Sequence, residues 1–370
     1  MKKNNRENKK RIAIFHNYLD NIGGAEIVGL TLARELKADV YTTNIDKEKI
    51  KKMGFNDVNI ISIGNIPINA PFRQQLAFLR FRLLNLKNKY DFYIIDGDWA
   101  MSGAVKNHPN LWYVHSPIRE IWDSYEYTRN NIVKKSLRPA FDIWVKLNRH
   151  LNKKYLKKVD NIASNSNNTR NRLKKFLNKE AKVIHPPIET SKFHYKKNGD
   201  YWLSVNRLIK PKRVEMQINA FKKLPKEKLI IVGSYEKSNH FLEYANYIKS
   251  IRPKNVEIKS WISQKELIEL YANCKGFITS SMDEDFGMNV VEAMASGKPV
   301  IAPNEGGYKE SIIDNKTGIL ISNIDENKII NAIKILGNNP KKYKSACIDQ
   351  AKKFDTKIFI KKIKEEIGKY

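Results

Sequence analysis

Two carboxylates, Glu284 and Glu292, stand eight residues apart in the stretch DEDFGMNVVEAMASGKPV, with Phe286 and Gly287 between them. A carboxylate pair can work as acid and nucleophile on a glycosidic bond, or it can grip the hydroxyls of a sugar and a ribose. A carboxylate inside an otherwise apolar helix needs such partners, because burying it unpaired is costly. Upstream, SVNRLIKPKR carries Arg207 and Lys212 out of an apolar run towards the next helix. Arg offers a bidentate fork and Lys a mobile point charge, so the two could clamp a diphosphate; solvated loop cations are the bland alternative. His115, in YVHSP, closes another apolar run, a position open to a structural or a ligand-contacting imidazole. Gly23 and Gly24, in HNYLDNIGGAE, allow backbone N–H groups to approach an anion at a helix start. That stretch is neither a GxGxxG fingerprint nor a P-loop. The seven histidines show no metal-binding spacing, and no protein-bound metal or other cofactor is expected.

The elements that would position these residues form a repeating pattern. Short apolar runs at 11–15, 38–42, 92–95, 111–114, 161–164 and 181–184 alternate with amphipathic stretches. After a polar, Pro-containing break at 185–200 the pattern restarts at 201–205, 228–232, 256–259, 276–279 and 299–302. Continuous apolar runs with helices between them predict parallel strands covered on both faces. The expected fold is α/β, with two doubly wound Rossmann-like domains at 1–190 and 198–353. Open sheets of this kind bind ligands beyond the carboxyl ends of their strands, where the candidate residues fall. A last helical pattern (Ile358, Ile360, Ile363, Ile367) occupies 354–370.

Composition bounds the function classes. With 370 residues and 41% hydrophobic content, the chain can fill two cores, and disorder is not expected. Two cysteines cannot build a disulfide framework, which predicts a reducing compartment. No apolar run approaches the roughly 20 residues that span a bilayer. The net charge of +29 is the dominant number. Residues 129–182 alone hold 16 basic and 3 acidic side chains, a field that attracts phosphates of a nucleotide, an anionic lipid or a nucleic acid. A lysine-rich composition by itself accounts for part of the total. The basic helix PFRQQLAFLRFRLL carries Phe72, Leu76, Leu79 and Leu83 along one side, which suits either an anionic membrane surface or the core.

Taken together these residues resemble glycosyltransferase family 4, retaining enzymes of the GT-B fold. The run from Glu284 to Val300 is similar to the family's Glu-x7-Glu motif with its Ala-x-Gly-x-Pro-Val continuation, and Asn206-Arg207-Leu208 to Lys212 resembles its Gly-Arg-Leu…Lys loop, with Asn206 in place of the usual Gly. Lys259-Ser260-Trp261-Ile262 resembles the segment that borders the nucleobase, and Gly23 to Glu26 the N-terminal glycine loop. The run from Tyr113 to Asp123 is similar to a subgroup that includes mannosyltransferases of polysaccharide and lipid-linked glycan assembly. The resemblance implies two domains facing each other across a cleft, an acceptor-binding one at 1–190 and a donor-binding one at 198–353, with helix 354–370 crossing back to the first. It also implies roles. Arg207 and Lys212 would neutralise the donor diphosphate, and Glu292 would hold the ribose. Glu284 and the backbone N–H groups of Phe286, Gly287 and Met288 would hold the donor sugar, with Trp261 and Ile262 beside the base. His115 would contact the sugar and help stabilise its oxocarbenium-like state, and Gly23 and Gly24 would pass close to the phosphates. In such a retaining enzyme the donor phosphate itself takes the acceptor proton. Asp96-Gly97-Asp98 resembles the metal-nucleotide Asp-x-Asp of a single-domain glycosyltransferase architecture, and reads here as a strand-end loop.

The leading expectation is therefore transfer of a hexose, mannose from GDP-mannose, to a glycan or lipid-linked acceptor at the cytoplasmic face of the membrane. Transfer from a UDP-sugar and a GT-B sugar-nucleotide epimerase are the enzymatic alternatives. A basic nucleic-acid-binding protein would explain the charge but not Glu284 and Glu292, and no nucleic-acid-binding signature is present.

Overall fold

The computed structural model describes residues 10–21, 23–68, 72–234, 239–260 and 262–370; Trp261, expected beside the base, lies outside the described residues. Two parallel sheets account for most of the alternating pattern. In the first, β1 (Ile12–Phe15), β2 (Asp39–Thr42), β3 (Ile60–Ser62), β4 (Phe92–Ile95), β5 (Asn110–Val114), β6 (Asn161–Ser164) and β7 (Lys182–Val183) lie in the order β3-β2-β1-β4-β5-β6-β7. In the second, β8 (Tyr201–Arg207), β9 (Lys228–Ser234), β10 (Val256–Lys259), β11 (Gly276–Ile278), β12 (Val300–Pro303) and β13 (Gly318–Ile321) lie in the order β10-β9-β8-β11-β12-β13. The strand order reverses between β1 and β4 in one sheet and between β8 and β11 in the other. These are the topological switch points at which doubly wound sheets hold ligands.

The central strands are apolar throughout because helices cover both of their faces: β1, β4, β5 and β12 are buried along their whole length. Trp112, Tyr93, Phe15 and Phe81 fill the first core, and Trp202, Phe221, Tyr271 and Phe277 the second. Each such side chain contributes about 1.5–3 kcal/mol through burial. Sequence reasoning missed β3 and β13. Both are edge strands with residues half-buried or exposed, so they lack the long apolar signature of an inner strand.

The chain divides into two compact units. One comprises the residues up to Asn165 with Thr169–Ile184 and Ile360–Tyr370; the other comprises Ser166–Asn168 with His185–Phe359. The break expected at 185–200 is not a free linker. Ile188 and Phe193 are buried in the second core, and the Ile188 N–H donates to the Phe354 carbonyl at 3.0 Å. The end of the last helix (Thr356–Ile367) belongs to the first unit, where Ile363 and Ile367 are buried. Glu366, 1% exposed, accepts hydrogen bonds there from Asn161 Nδ2 at 2.6 Å and Lys182 Nζ at 2.8 Å.

The basic helix Arg73–Leu83 buries Ala77 and Phe81 and leaves Phe72, Leu79 and Leu83 at least half exposed, so most of the apolar side singled out in the sequence faces outwards. The helix Arg138–Leu156 packs beside it through Phe78 and Tyr155, with ring centroids 4.8 Å apart, and exposes Ile143 and Leu147. Among the described residues no helix is long and apolar enough to cross a membrane.

Candidate active site

In the second unit the candidate residues gather at the carboxyl ends of β8 and β11. Arg207 is the last residue of β8, and Lys212 closes the 3-10 turn Lys210–Lys212 that follows. Ser281 and Glu284 occupy the loop after β11. The Lys212 ammonium donates to the Glu284 carboxylate, and the Ser281 hydroxyl donates to the same oxygen at 2.5 Å. Burial alone would raise the Glu284 carboxyl, but Lys212, Ser281 and the charge of Arg207 more than offset it and hold it at about 2. Glu284 is therefore an ionised acceptor over the whole physiological range, unsuited to donating a proton.

The loop is shaped by glycine and by its neighbours. Gly287 adopts φ +86 as the residue before the helix Met288–Ala295, and a Cβ there would lie 2.4 Å from Tyr308 Cε1. No other residue fits that turn, which opens the helix; of the first-turn N–H groups, that of Val290 donates to the Gly287 carbonyl at 3.3 Å. Phe286 is buried against His185 and Phe354, so only its backbone is available to a ligand. Glu292, at the start of the second turn of that helix, accepts from the Tyr271 hydroxyl at 2.8 Å, while burial raises its carboxyl above the ordinary value. Ile262 packs partly buried against the second core.

Several partners in this cluster escaped sequence reasoning. Ser281 and Tyr271 supply the hydroxyls that the two acids need. Glu305 accepts from Arg213 at 2.8 Å and from the Asp283 N–H at 3.1 Å, and the Gly307 N–H bonds the Glu284 carbonyl at 2.8 Å. The Gly306-Gly307 pair just after β12 was the available signal, since a close backbone approach demands small residues there.

The first unit holds Gly23, Gly24 and His115. Gly23 precedes the helix Gly24–Leu36, and its N–H donates to Glu26 Oε2 at 2.8 Å. His115 follows β5 directly and is tied to Asp96, which follows β4 directly: Nε2 lies 2.9 Å from Asp96 Oδ1. The other oxygen of Asp96 lies 2.8 Å from Nδ1 of His16, the residue after β1, and His16 Nε2 is 3.7 Å from Glu26 Oε1. Asp96 does sit in the strand-end loop read from the sequence, but it is fully buried and joins two imidazoles. Burial would lower the His16 imidazole, yet Asp96 and Glu26 raise it to about 10. Among the described residues no cluster of His, Cys, Asp and Glu is arranged to hold a metal ion.

The chain matches two family models in tandem, Glycosyltransferase Family 4 over residues 22–192 and Glycosyl transferases group 1 over residues 188–354. It is 26% identical to the alpha-1,3/1,6-mannosyltransferase ALG2 of Dictyostelium discoideum over 98% of each chain. It is 27% identical to ALG2 of Candida glabrata over 91% of this chain and 88% of that protein. Among solved structures, Anabaena HepE in complex with UDP and glucose superposes with a TM-score of 0.78 at 16% identity, over 98% of this chain and 100% of that one. With two parallel-sheet Rossmann-like units and both family regions in order, the chain belongs to the family 4, group 1 glycosyltransferases of the GT-B fold.

Proposed function

We propose that this glycosyltransferase moves a hexose, mannose from GDP-mannose, to a glycan or lipid-linked acceptor with retention of configuration. The observation that carries the donor half is the Arg207, Lys212, Ser281 and Glu284 cluster at the switch point of the second sheet, beside the helix start at Gly287. Two cations would neutralise the diphosphate as charge builds on it during bond cleavage, the work that a metal ion does elsewhere. Glu284 and the N–H groups of Phe286, Gly287 and Met288 would hold sugar hydroxyls. Glu292 would hold the ribose, with Trp261 and Ile262 beside the base. In the first unit, Gly23 and Gly24 are assigned to the phosphates and His115 to the sugar, and that unit is assigned to the acceptor. The leaving phosphate oxygen would take the acceptor's proton, so neither carboxylate need attack.

The mannosyltransferase relatives support mannose and a glycan acceptor. A UDP-sugar is the second reading, favoured by the complex of HepE with UDP and glucose. The basic surface and the outward apolar residues of helices Arg73–Leu83 and Arg138–Leu156 support peripheral attachment to the cytoplasmic face of a membrane. A thermal-shift series with GDP, UDP and ADP and their sugars tests the donor. A ligand present at 100 times its Kd stabilises by about 2.7 kcal/mol, and the expected outcome is a shift with GDP and GDP-mannose only. A shift with UDP alone replaces the donor; binding of random nucleic acid with no shift from any nucleotide-sugar would falsify the enzymatic assignment of this cluster.

A further inference from the structure

His115 is the one imidazole that the proposed function assigns to the sugar, and the structure does not leave it to act alone. Three neighbouring parallel strands, β1, β4 and β5, each end one residue before a titratable group: His16, Asp96 and His115. Asp96 spends one carboxylate oxygen on each histidine, at 2.8 and 2.9 Å, and is itself 0% exposed. Helix Gly24–Leu36 makes room for this contact. A Cβ on Gly29 would stand 2.3 Å from Asp96 Oδ2 and 3.3 Å from His16 Nδ1. Glycine is a poorer helix former than alanine, and here its missing side chain is what lets Asp96 reach His16.

We propose that Asp96 is a positioning residue for glycosyl transfer, fixing His115 through Nε2 so that its Nδ1–H is the donor offered to the sugar. The proposal rests on the reading of His115 as a sugar-contacting residue. The groups facing His115 are Asp96 and Asp98 from the end of β4, His16 from the end of β1 and Tyr113 from β5; Glu26 acts through His16. Burial would lower the His115 imidazole, but Asp96 and then Asp98 raise it overall. With Nε2 bonded to Asp96, Nδ1 has no hydrogen-bond partner among the described residues, and the side chain keeps 18% of its surface exposed. A lone imidazolium would oppose the positive charge that grows on the sugar as the glycosidic bond breaks. Paired with Asp96 it presents the same N–H with no net charge, which removes that opposition. The row continues through His16 and Glu26 to the Gly23 N–H, so carboxylates and imidazoles alternate along it: Glu26, His16, Asp96, His115.

The test pairs steady-state kinetics with NMR titration of the imidazoles in the full chain, for D96N, H16Q and H115Q. D96N is expected to lower kcat at least 10-fold while the donor KM stays within about 2-fold, because the variant loses orientation rather than binding. It should also move the His115 titration to lower pH. H16Q removes a positive neighbour from Asp96 and should move the His115 titration the opposite way, a signature that loss of packing does not produce. If D96N fails to fold, the H16Q titration decides: an unmoved His115 overturns the proposal. D96N at wild-type kcat with H115Q inactive overturns the role of Asp96 alone. H115Q at wild-type kcat overturns the reading of His115 and the proposal with it.

Discussion

Glu284 shows how one residue's surroundings choose between two chemistries. A carboxylate beside a glycosidic bond donates a proton only while it is protonated, and Lys212, Ser281 and Arg207 keep Glu284 ionised. Its ion pair with Lys212 leaves it better placed to accept hydrogen bonds than to act as an acid. E284Q is expected to lower kcat by about 10²–10³-fold and to leave no trapped sugar; a glycosyl adduct on the wild-type protein, seen by mass spectrometry, would overturn the grip and restore the nucleophile. The same residue sets a pH dependence of stability. Its folded value, about 2, lies below the ordinary 4.5, so its contribution is complete above pH 4.5 and is lost as pH falls through that window towards 2. The gap in melting temperature between wild type and E284Q should therefore narrow on acidification over that window. Of this site the pair Glu284 and Glu292 was legible from spacing, and so were Arg207 and Lys212 from their loop. Tyr271 and Ser281 were not, because a hydroxyl partner brought in from another element leaves no local mark.

At the scale of elements, the apolar pattern was most legible where strands are buried on both faces and least where they border solvent. β1, β4 and β5 read directly from the sequence, while the edge strands β3 and β13 did not. The last helix was expected from its isoleucine spacing. Its anchoring depends on a feature that periodicity cannot show, a buried Glu366 held by Asn161 and Lys182. Lys10 adds hydrogen bonds to the Ile367 and Tyr370 carbonyls at 3.0 Å each. Removing residues 360–370 is expected to lower the melting temperature of the first unit, because it uncovers Ile363 and Ile367 and strips Lys182 and Asn161 of their acceptor. Two buried isoleucines alone amount to about 3–6 kcal/mol. An unchanged calorimetric transition after truncation would show that the helix end is dispensable.

For the whole molecule, charge and exposed apolar surface point the same way. The chain carries +29, and the first unit turns Phe72, Leu79, Leu83, Ile143 and Leu147 outwards from two adjacent helices rich in Arg and Lys. Cations near an anionic surface gain about 1 kcal/mol each, an attraction that salt screens. Co-sedimentation with phosphatidylglycerol vesicles is expected to exceed that with phosphatidylcholine vesicles and to fall as salt rises. An L79S/L83S/I143S/L147S variant should lose most of the salt-resistant part. Equal binding to both vesicle types would remove the electrostatic account.

By itself the sequence determined the class of fold, the two-part organisation and the positions of the acids and cations assigned above to the donor. These features are local: apolar runs, helix starts and short motifs need no distant partner to be seen. Only the tertiary structure decided what each of them touches. Asp96 is one residue in a loop until three parallel strands bring its carboxylate between His16 and His115, residues 80 and 19 positions away. The stretch 185–200 is polar on average, yet Ile188 and Phe193 dock it into the second core. Burial and hydrogen-bond partners across the chain set the charge of a side chain, and both come into being only when the sheet forms.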